Sequence, residues 1–208
     1  MDIEKHYFEL LNKYGDSAAA AQYSSKESQF RRFAALARIA DLSGKRILDY
    51  GCGTAALMEY LTSVNQIPSL YQGVDIVPQF FDYAKKKFPS GKFCLPNELG
   101  NSKFDFVFIS GVFNNKREDN RAFWQETIKS LFEHCTQGIA FNLMSSYVDY
   151  RDPELFYEDP EYAFHFMKTK ITPYVCINHD YLAKVNSVPF EFTVFGYHTD
   201  ISLKVNSI

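Results

Sequence analysis

The stretch Arg46-Ile47-Leu48-Asp49-Tyr50-Gly51-Cys52-Gly53-Thr54-Ala55-Ala56 constrains the fold of this chain more than any other. A short apolar strand runs into a glycine turn, and a helix is expected to open at about Thr54. Gly51 and Gly53 suit a bend with unusual dihedrals and a close approach of backbone to ligand. The N–H groups of such a bend hold polar ligand groups when it lies at the carboxyl edge of a parallel sheet. That requirement makes the rest of the chain the remainder of an α/β sheet.

The downstream pattern supplies it. Tyr71 to Ile76 reads as a second strand ending in Asp75, which stands 26 positions after Asp49. A second strand-end carboxylate at about that spacing reaches a ribose hydroxyl in doubly wound sheets. The same residue also suits a cap on the next helix, whose first turn carries Pro78, and the two uses are compatible. Lys92 to Leu95 is a short third strand, and the loop Pro96-Asn97-Glu98 after it would border a bound base. Phe104 to Ile109 is almost continuously apolar, as a strand covered on both faces should be. It ends in Ser110-Gly111-Val112-Phe113-Asn114-Asn115. Gly138 to Met144 is the fifth strand. Two further runs, about Thr172 to Tyr181 and Phe190 to His198, are joined by a short loop and so are expected to pair antiparallel.

Flanking segments complete the organisation. Helices are expected over Asp2 to Tyr14 and Lys26 to Ala40, the latter with Phe30, Phe33, Leu36, Ala37 and Ala40 on one face. Between them, Asp16 to Ser25 reads either as a helical turn or as a flexible lid containing Tyr23. Arg31 reads as solvated, whereas Arg32, beside the apolar face, is placed to reach an anionic ligand group. Residues 145–169 are polar and aromatic, a cap after the fifth strand. The expected organisation is one domain over 1–208, with N-terminal helices and a possible lid in 1–40 and the cap in 145–169.

Composition narrows the classes of partner. A formal charge of -3 over 208 residues, without a basic tail, gives no argument for a nucleic-acid partner, and none is expected. The 20 Phe and 14 Tyr exceed what a core alone asks for and point to an aromatic pocket or interface. Cys52, Cys94, Cys135 and Cys176 have no metal-ligand spacing and read as reduced thiols of a cytoplasmic protein, with no metal expected. The polar start Met1-Asp2-Ile3-Glu4-Lys5 lacks a signal-peptide core, and no run is long and apolar enough for a bilayer. A monomer or homodimer is expected.

Three signatures together resemble the class I S-adenosylmethionine-dependent methyltransferases over about Gln29 to Tyr197. They are Leu48-Asp49-Tyr50-Gly51-Cys52-Gly53-Thr54, Val74-Asp75-Ile76 and Phe104-Asp105-Phe106-Val107-Phe108-Ile109-Ser110. The closing antiparallel pair is similar to the last two strands of that family. The resemblance implies a doubly wound, seven-stranded, mostly parallel sheet and S-adenosylmethionine as cofactor. It assigns Asp49, Gly51, Cys52, Gly53, Asp75, Ile76 and Ser110 to cofactor binding. Arg32 would then take the methionine carboxylate, and Tyr23, in the possible lid, counts among the cofactor-binding residues. Dinucleotide-binding proteins share a glycine turn, and Ala56 at the third glycine position separates the two only weakly. Asp49 before the turn and Cys52 within it are closer to the methyltransferase version. The Asn/Asp/Ser-Pro-Pro-Tyr/Phe motif of amino-methylating enzymes is replaced here by Ser110-Gly111-Val112-Phe113. What remains resembles the small-molecule O- or N-methyltransferases.

Methyl transfer asks the protein for orientation and electrostatics, plus a base where the acceptor is protonated. His179 and Asp180, at the end of the sixth strand, are the expected bases, with His165 as a lesser option and Asn114 as a further acceptor contact. The alternative for the whole chain is a catalytically inactive relative that binds cofactor or a partner.

Overall fold

The computed structural model describes residues 2–200. Helix α1 (Ile3–Tyr14) starts where the Asp2 carboxylate accepts from Lys5 N, and α2 (Lys26–Ala37) starts where Ser25 Oγ accepts from Ser28 N. Both are side-chain caps of otherwise unpaired helical N–H groups. A single 3₁₀ turn, Ala18–Ala21, lies between them. The sheet follows as β1 (Arg46–Tyr50), β2 (Leu70–Val74), β3 (Lys92–Cys94), β4 (Phe104–Ile109), β5 (Cys135–Met144), β6 (Tyr174–Asn178) and β7 (Glu191–Tyr197). Helices α3 (Ala56–Ser63), α4 (Phe80–Lys87) and α5 (Asn120–Phe132) connect the parallel strands, and α6 (Pro160–Phe166) precedes the last two.

The strand order is β3-β2-β1-β4-β5-β7-β6. The first five strands are parallel, and β7 pairs antiparallel with both β5 and β6. The chain leaves β1 toward β3, then returns to place β4 on the other side of β1. That reversal opens a crevice at the carboxyl ends of β1 and β4, where ligands bind in open α/β sheets. Alternation along the strands builds two layers of core. Leu48, Val107 and Ile109 pack with Trp124, Ile128 and Phe166 of α5 and α6. Ile47, Phe106 and Phe108 pack with Phe33, Leu36, Leu57 and Leu61 of α2 and α3.

Element edges differ from the sequence reading for local reasons. Helix α3 opens at Ala56 because Ala55 takes a left-handed conformation, φ 63°. Helix α2 stops at Ala37, and α6 passes into a π turn at Met167–Ile171 before the short β6.

Residues 145–159 carry no helix and are held by individual bonds. Phe156 N donates to Asn114 O (2.8 Å) and Lys116 N to Glu154 O (2.9 Å). The anchor is Glu158, which is fully buried. It accepts from Arg121 through two nitrogens (2.8 to 3.2 Å), from Trp124 Nε1 (3.1 Å) and from Asp159 N (2.9 Å). Removing this carboxylate would leave the buried indole N–H unpaired. Glu158→Ala should therefore lower unfolding free energy by about 2–4 kcal/mol in urea titrations, well above the cost of a surface truncation.

Candidate active site

A cavity of about 260 Å³ lies at the carboxyl ends of β1, β2 and β4. Its floor is the glycine turn. Gly51 N and Cys52 N both donate to Val74 O, at 2.7 and 3.0 Å, so the turn is tied to the end of β2. Gly51 sits at φ 81°, and a Cβ there would lie 2.3 Å from Val112 Cγ2. Gly53, at φ 50°, opens onto free space instead. Cys52 fills the room left by Gly73, whose Cβ would fall 2.6 Å from the Cys52 sulfur, and burial pushes that thiol well up.

Asp75 joins the two strand ends. One carboxylate oxygen accepts from Gly53 N (2.8 Å) and the other from Val77 N (3.0 Å). Each oxygen keeps acceptor capacity for a ligand hydroxyl. Asp75 thus caps the following turn and lines the cavity together. Burial raises its pKa, against the pull of those backbone N–H groups. Asp49 is also buried in the lining and accepts from Tyr71 OH at 2.5 Å. Burial pushes Asp49 up to about 7, Tyr71 pulls the other way, and the nearby Asp75 charge adds to the rise.

The roof comes from the N-terminal segment. Ile3 and Tyr7 of α1, Ala20 and Ala21 of the 3₁₀ turn, and Tyr23 all line the cavity. Tyr23 OH lies 3.2 Å from Ser110 Oγ, while Asn115 Nδ2 donates to both Tyr7 OH and Gln22 Oε1 at 3.0 Å. The segment expected to be a turn or a lid is a turn docked over the site. Burial raises both Tyr7 and Tyr23, so each phenol is neutral at ordinary pH.

Asp49, Gly51, Cys52, Gly53, Asp75, Ile76, Ser110 and Tyr23 all meet at this cavity, and Pro96 borders it as expected of the loop after β3. Arg32 does not. Its guanidinium is buried between Glu191, which accepts from Nε at 2.7 Å, and Ser28, whose carbonyl and hydroxyl accept from Nη1 at 2.9 and 2.6 Å. A charge already neutralised by a buried carboxylate is not free for a ligand, so the reading of Arg32 as a carboxylate holder is corrected to a structural ion pair. Gln29 and Phe33 line the cavity instead. They stand at i and i+4 on the face of α2 that Arg32 leaves. His179 and Asp180 lie outside the lining too. His179 Nε2 is 3.2 Å from Pro189 O, and the exposed Asp180 pairs with Arg38 at 2.7 Å. Asn114 sits just behind the wall, its Oδ1 buried without a hydrogen-bond partner. His165 is exposed on α6. Sequence reasoning missed Tyr7, Gln29, Arg117 and Phe123 as lining residues. Only the amphipathic pattern of α1 and α2 carried a signal for the first two.

A nucleoside cofactor fits these groups. A glycine turn with open space at Gly53, two strand-end carboxylates and a mostly apolar wall offer a backbone edge, hydroxyl acceptors and a stacking surface. Residues 48–132 match the family model described as a methyltransferase domain. None of the curated protein sequences matches the chain. Solved structures share its fold at low identity. Magnesium protoporphyrin IX methyltransferase from Synechocystis, solved with bound S-adenosylhomocysteine, is 13% identical at a TM-score of 0.67, covering 95% of this chain and 98% of its own. A TehB-like S-adenosylmethionine-dependent methyltransferase from Corynebacterium glutamicum is 18% identical at 0.57, covering 93% and 98%. A third, an S-adenosylmethionine-dependent methyltransferase from Clostridium acetobutylicum, is 16% identical at 0.57, covering 91% and 97%. The match over residues 48–132 and the shared fold support a class I S-adenosylmethionine-dependent methyltransferase, a family whose cofactor is S-adenosylmethionine. Among the described residues no helix is long and apolar enough to cross a membrane.

Two outcomes follow from the buried charges. Folded Asp49 keeps its proton to about pH 7, whereas an unfolded aspartate loses it near pH 4. Between those values the native state binds the extra proton, so the Asp49 contribution to stability falls as pH rises and levels above 7. Asp49→Asn removes this dependence. Between about pH 5 and 7 the parent should lose roughly 2 kcal/mol relative to the variant in urea denaturation, and a constant difference would refute the assignment. Arg32→Met, by stranding Glu191, should cost about 3–5 kcal/mol, while Arg32→Met with Glu191→Leu should recover much of it.

Proposed function

We propose that this chain transfers the methyl group of S-adenosylmethionine to a nitrogen or oxygen atom of a small-molecule acceptor. The reading treats residues 1–208 as one catalytic domain, roofed by residues 1–40 and flanked by the cap at 145–169. The observation that carries it is the enclosure of the cavity: α1 and the 3₁₀ turn cover the glycine turn and are bonded to Ser110 and Asn115 across it. A roofed cavity with convergent polar groups suits a metabolite better than a polymer, which needs an open groove. A cytoplasmic monomer or homodimer acting on a metabolite fits the same reading.

When bound, the cofactor supplies the methyl group and an already activated leaving group. The chain's own residues would do the rest. Asp75 would accept hydroxyl hydrogens, the turn at Gly51 to Gly53 would present backbone N–H groups, and Val112 and Ile76 would flank a planar base. Tyr23 and Ser110, joined across the cavity, are the candidates for orienting the acceptor. No histidine, lysine or glutamate lines the cavity among the described residues. Its two carboxylates are already bonded to Tyr71 OH, Gly53 N and Val77 N. This lining favours acceptors that arrive nucleophilic, such as an unprotonated amine or an ionised oxygen, over those that need a strong base.

Asp75→Ala should weaken calorimetric binding of S-adenosylhomocysteine by about 10- to 100-fold, the loss expected for hydrogen bonds to a charged acceptor. Equal affinity in parent and variant would sink the assignment. Turnover of any amine, hydroxyl or carboxyl acceptor with labelled cofactor would exclude a purely binding protein, which otherwise shares this turn.

A further inference from the structure

Arg117 is the one cationic residue lining the cavity among the described residues. It lies in the connection from β4 to α5, and that connection is fixed. Arg117 N donates to Asn120 Oδ1 and Asn120 Nδ2 donates to Asn115 O, both at 2.9 Å. Its guanidinium lies over the Phe123 ring, 3.9 Å from the centroid. Nε is buried and has no hydrogen-bond partner. No carboxylate forms an ion pair with Arg117 among the described residues.

The contrast with the chain's other arginines against buried groups is direct. Arg32 has Glu191, and Arg121 has Glu158. The ionisable neighbours of Arg117 are the phenols of Tyr7 and Tyr50, which burial keeps neutral, and burial without a counter-charge pulls Arg117 itself down. A stacked, pre-oriented fork with a free buried donor matches two parallel acceptor oxygens. We propose that Arg117 is the anion seat of the cavity and holds the carboxylate of a bound ligand. The inference rests on the methyltransferase reading. The carboxylate has two sources, the amino-acid end of the cofactor and an acid acceptor, and the experiment separates them.

Calorimetry on the full chain compares the parent, Arg117→Gln and Arg117→Lys with three probes. The probes are S-adenosylhomocysteine, 5′-methylthioadenosine (which lacks the amino-acid carboxylate), and benzoate against its neutral isostere benzamide, added to the S-adenosylhomocysteine complex. If the seat takes the cofactor, Arg117→Gln loses about 10- to 100-fold in S-adenosylhomocysteine affinity while 5′-methylthioadenosine is unchanged. Arg117→Lys then recovers only part, because a point charge lacks the fork. If the seat takes the acceptor, S-adenosylhomocysteine is unaffected, and benzoate binds the parent complex but not the Gln complex, with benzamide binding neither. The thermal midpoint of the ligand-free Gln variant should be equal to or above the parent's, since a partly buried, unpaired charge is gone; a clear fall would mark Arg117 as structural and overturn the proposal. Unchanged S-adenosylhomocysteine affinity together with no benzoate advantage in the parent would overturn it as well. Failure of the parent to bind S-adenosylhomocysteine would instead overturn the cofactor reading, a different result from an affinity that ignores Arg117.

Discussion

Asp49 and Asp75 stand at the carboxyl ends of neighbouring parallel strands, both buried, close enough for the Asp75 charge to bear on Asp49. Removing two carboxylates from water side by side is costly unless each gains hydrogen bonds or keeps a proton. The structure does both. Asp75 takes two backbone N–H groups, and Asp49 takes a phenol and holds its proton to about pH 7. The turn between β1 and α3 is set by this arrangement. Gly53 must turn its N–H toward Asp75, and the turn hangs from Val74 O through Gly51 and Cys52. The cavity floor is therefore a consequence of how two acids are accommodated at the reversal point of the sheet.

The roof follows the same logic on a smaller scale. Nothing in the Ala18–Ala21 run supplies polar anchoring, so the segment is held from its flanks. Tyr7, Gln22 and Tyr23 reach Asn115 and Ser110, the small polar residues that end the β4 connection. Gly111 leaves the space that the Tyr23 hydroxyl occupies, since a Cβ there would lie 2.5 Å from it. Asn142 then ties this wall to the sheet by accepting from Gly111 N and donating to Glu191. Arg32 and Glu191 act at one remove from the cavity, by fixing the residue that fixes Gly111.

Strands were legible because apolar runs and turn residues report burial on both faces directly. β1 and β4 fall where their patterns place them, and the antiparallel closing pair is present. The floor of the cavity was legible for the same reason: glycines and strand-end acids are local signals with local causes. Arg32 was misread because sequence shows a charge but not its partner, and Glu191 lies 159 positions away. His179 and Asp180 stand at a strand end as read, yet β6 is the edge strand beyond β7, away from the reversal point. Arg117 was invisible because only tertiary packing brings the β4–α5 connection over the turn.

Arg32 and Arg117 show how one residue type divides between scaffold and site. Each is desolvated, and each has an aromatic ring against its guanidinium, Tyr23 at 5.0 Å and Phe123 at 3.9 Å. Stacking is weak compared with the loss of hydration, so the ring does not decide the role. The carboxylate does. Where Glu191 is supplied, the pair is complete; where none is supplied, the arginine lines the cavity with a buried donor that has no partner. On the proposed reading, a ligand that satisfies this lining brings hydroxyls to Asp75 and an anionic oxygen to Arg117. Such a ligand would form polar interactions that the chain does not make within itself, and the selectivity of the site would come chiefly from those groups rather than from its apolar wall.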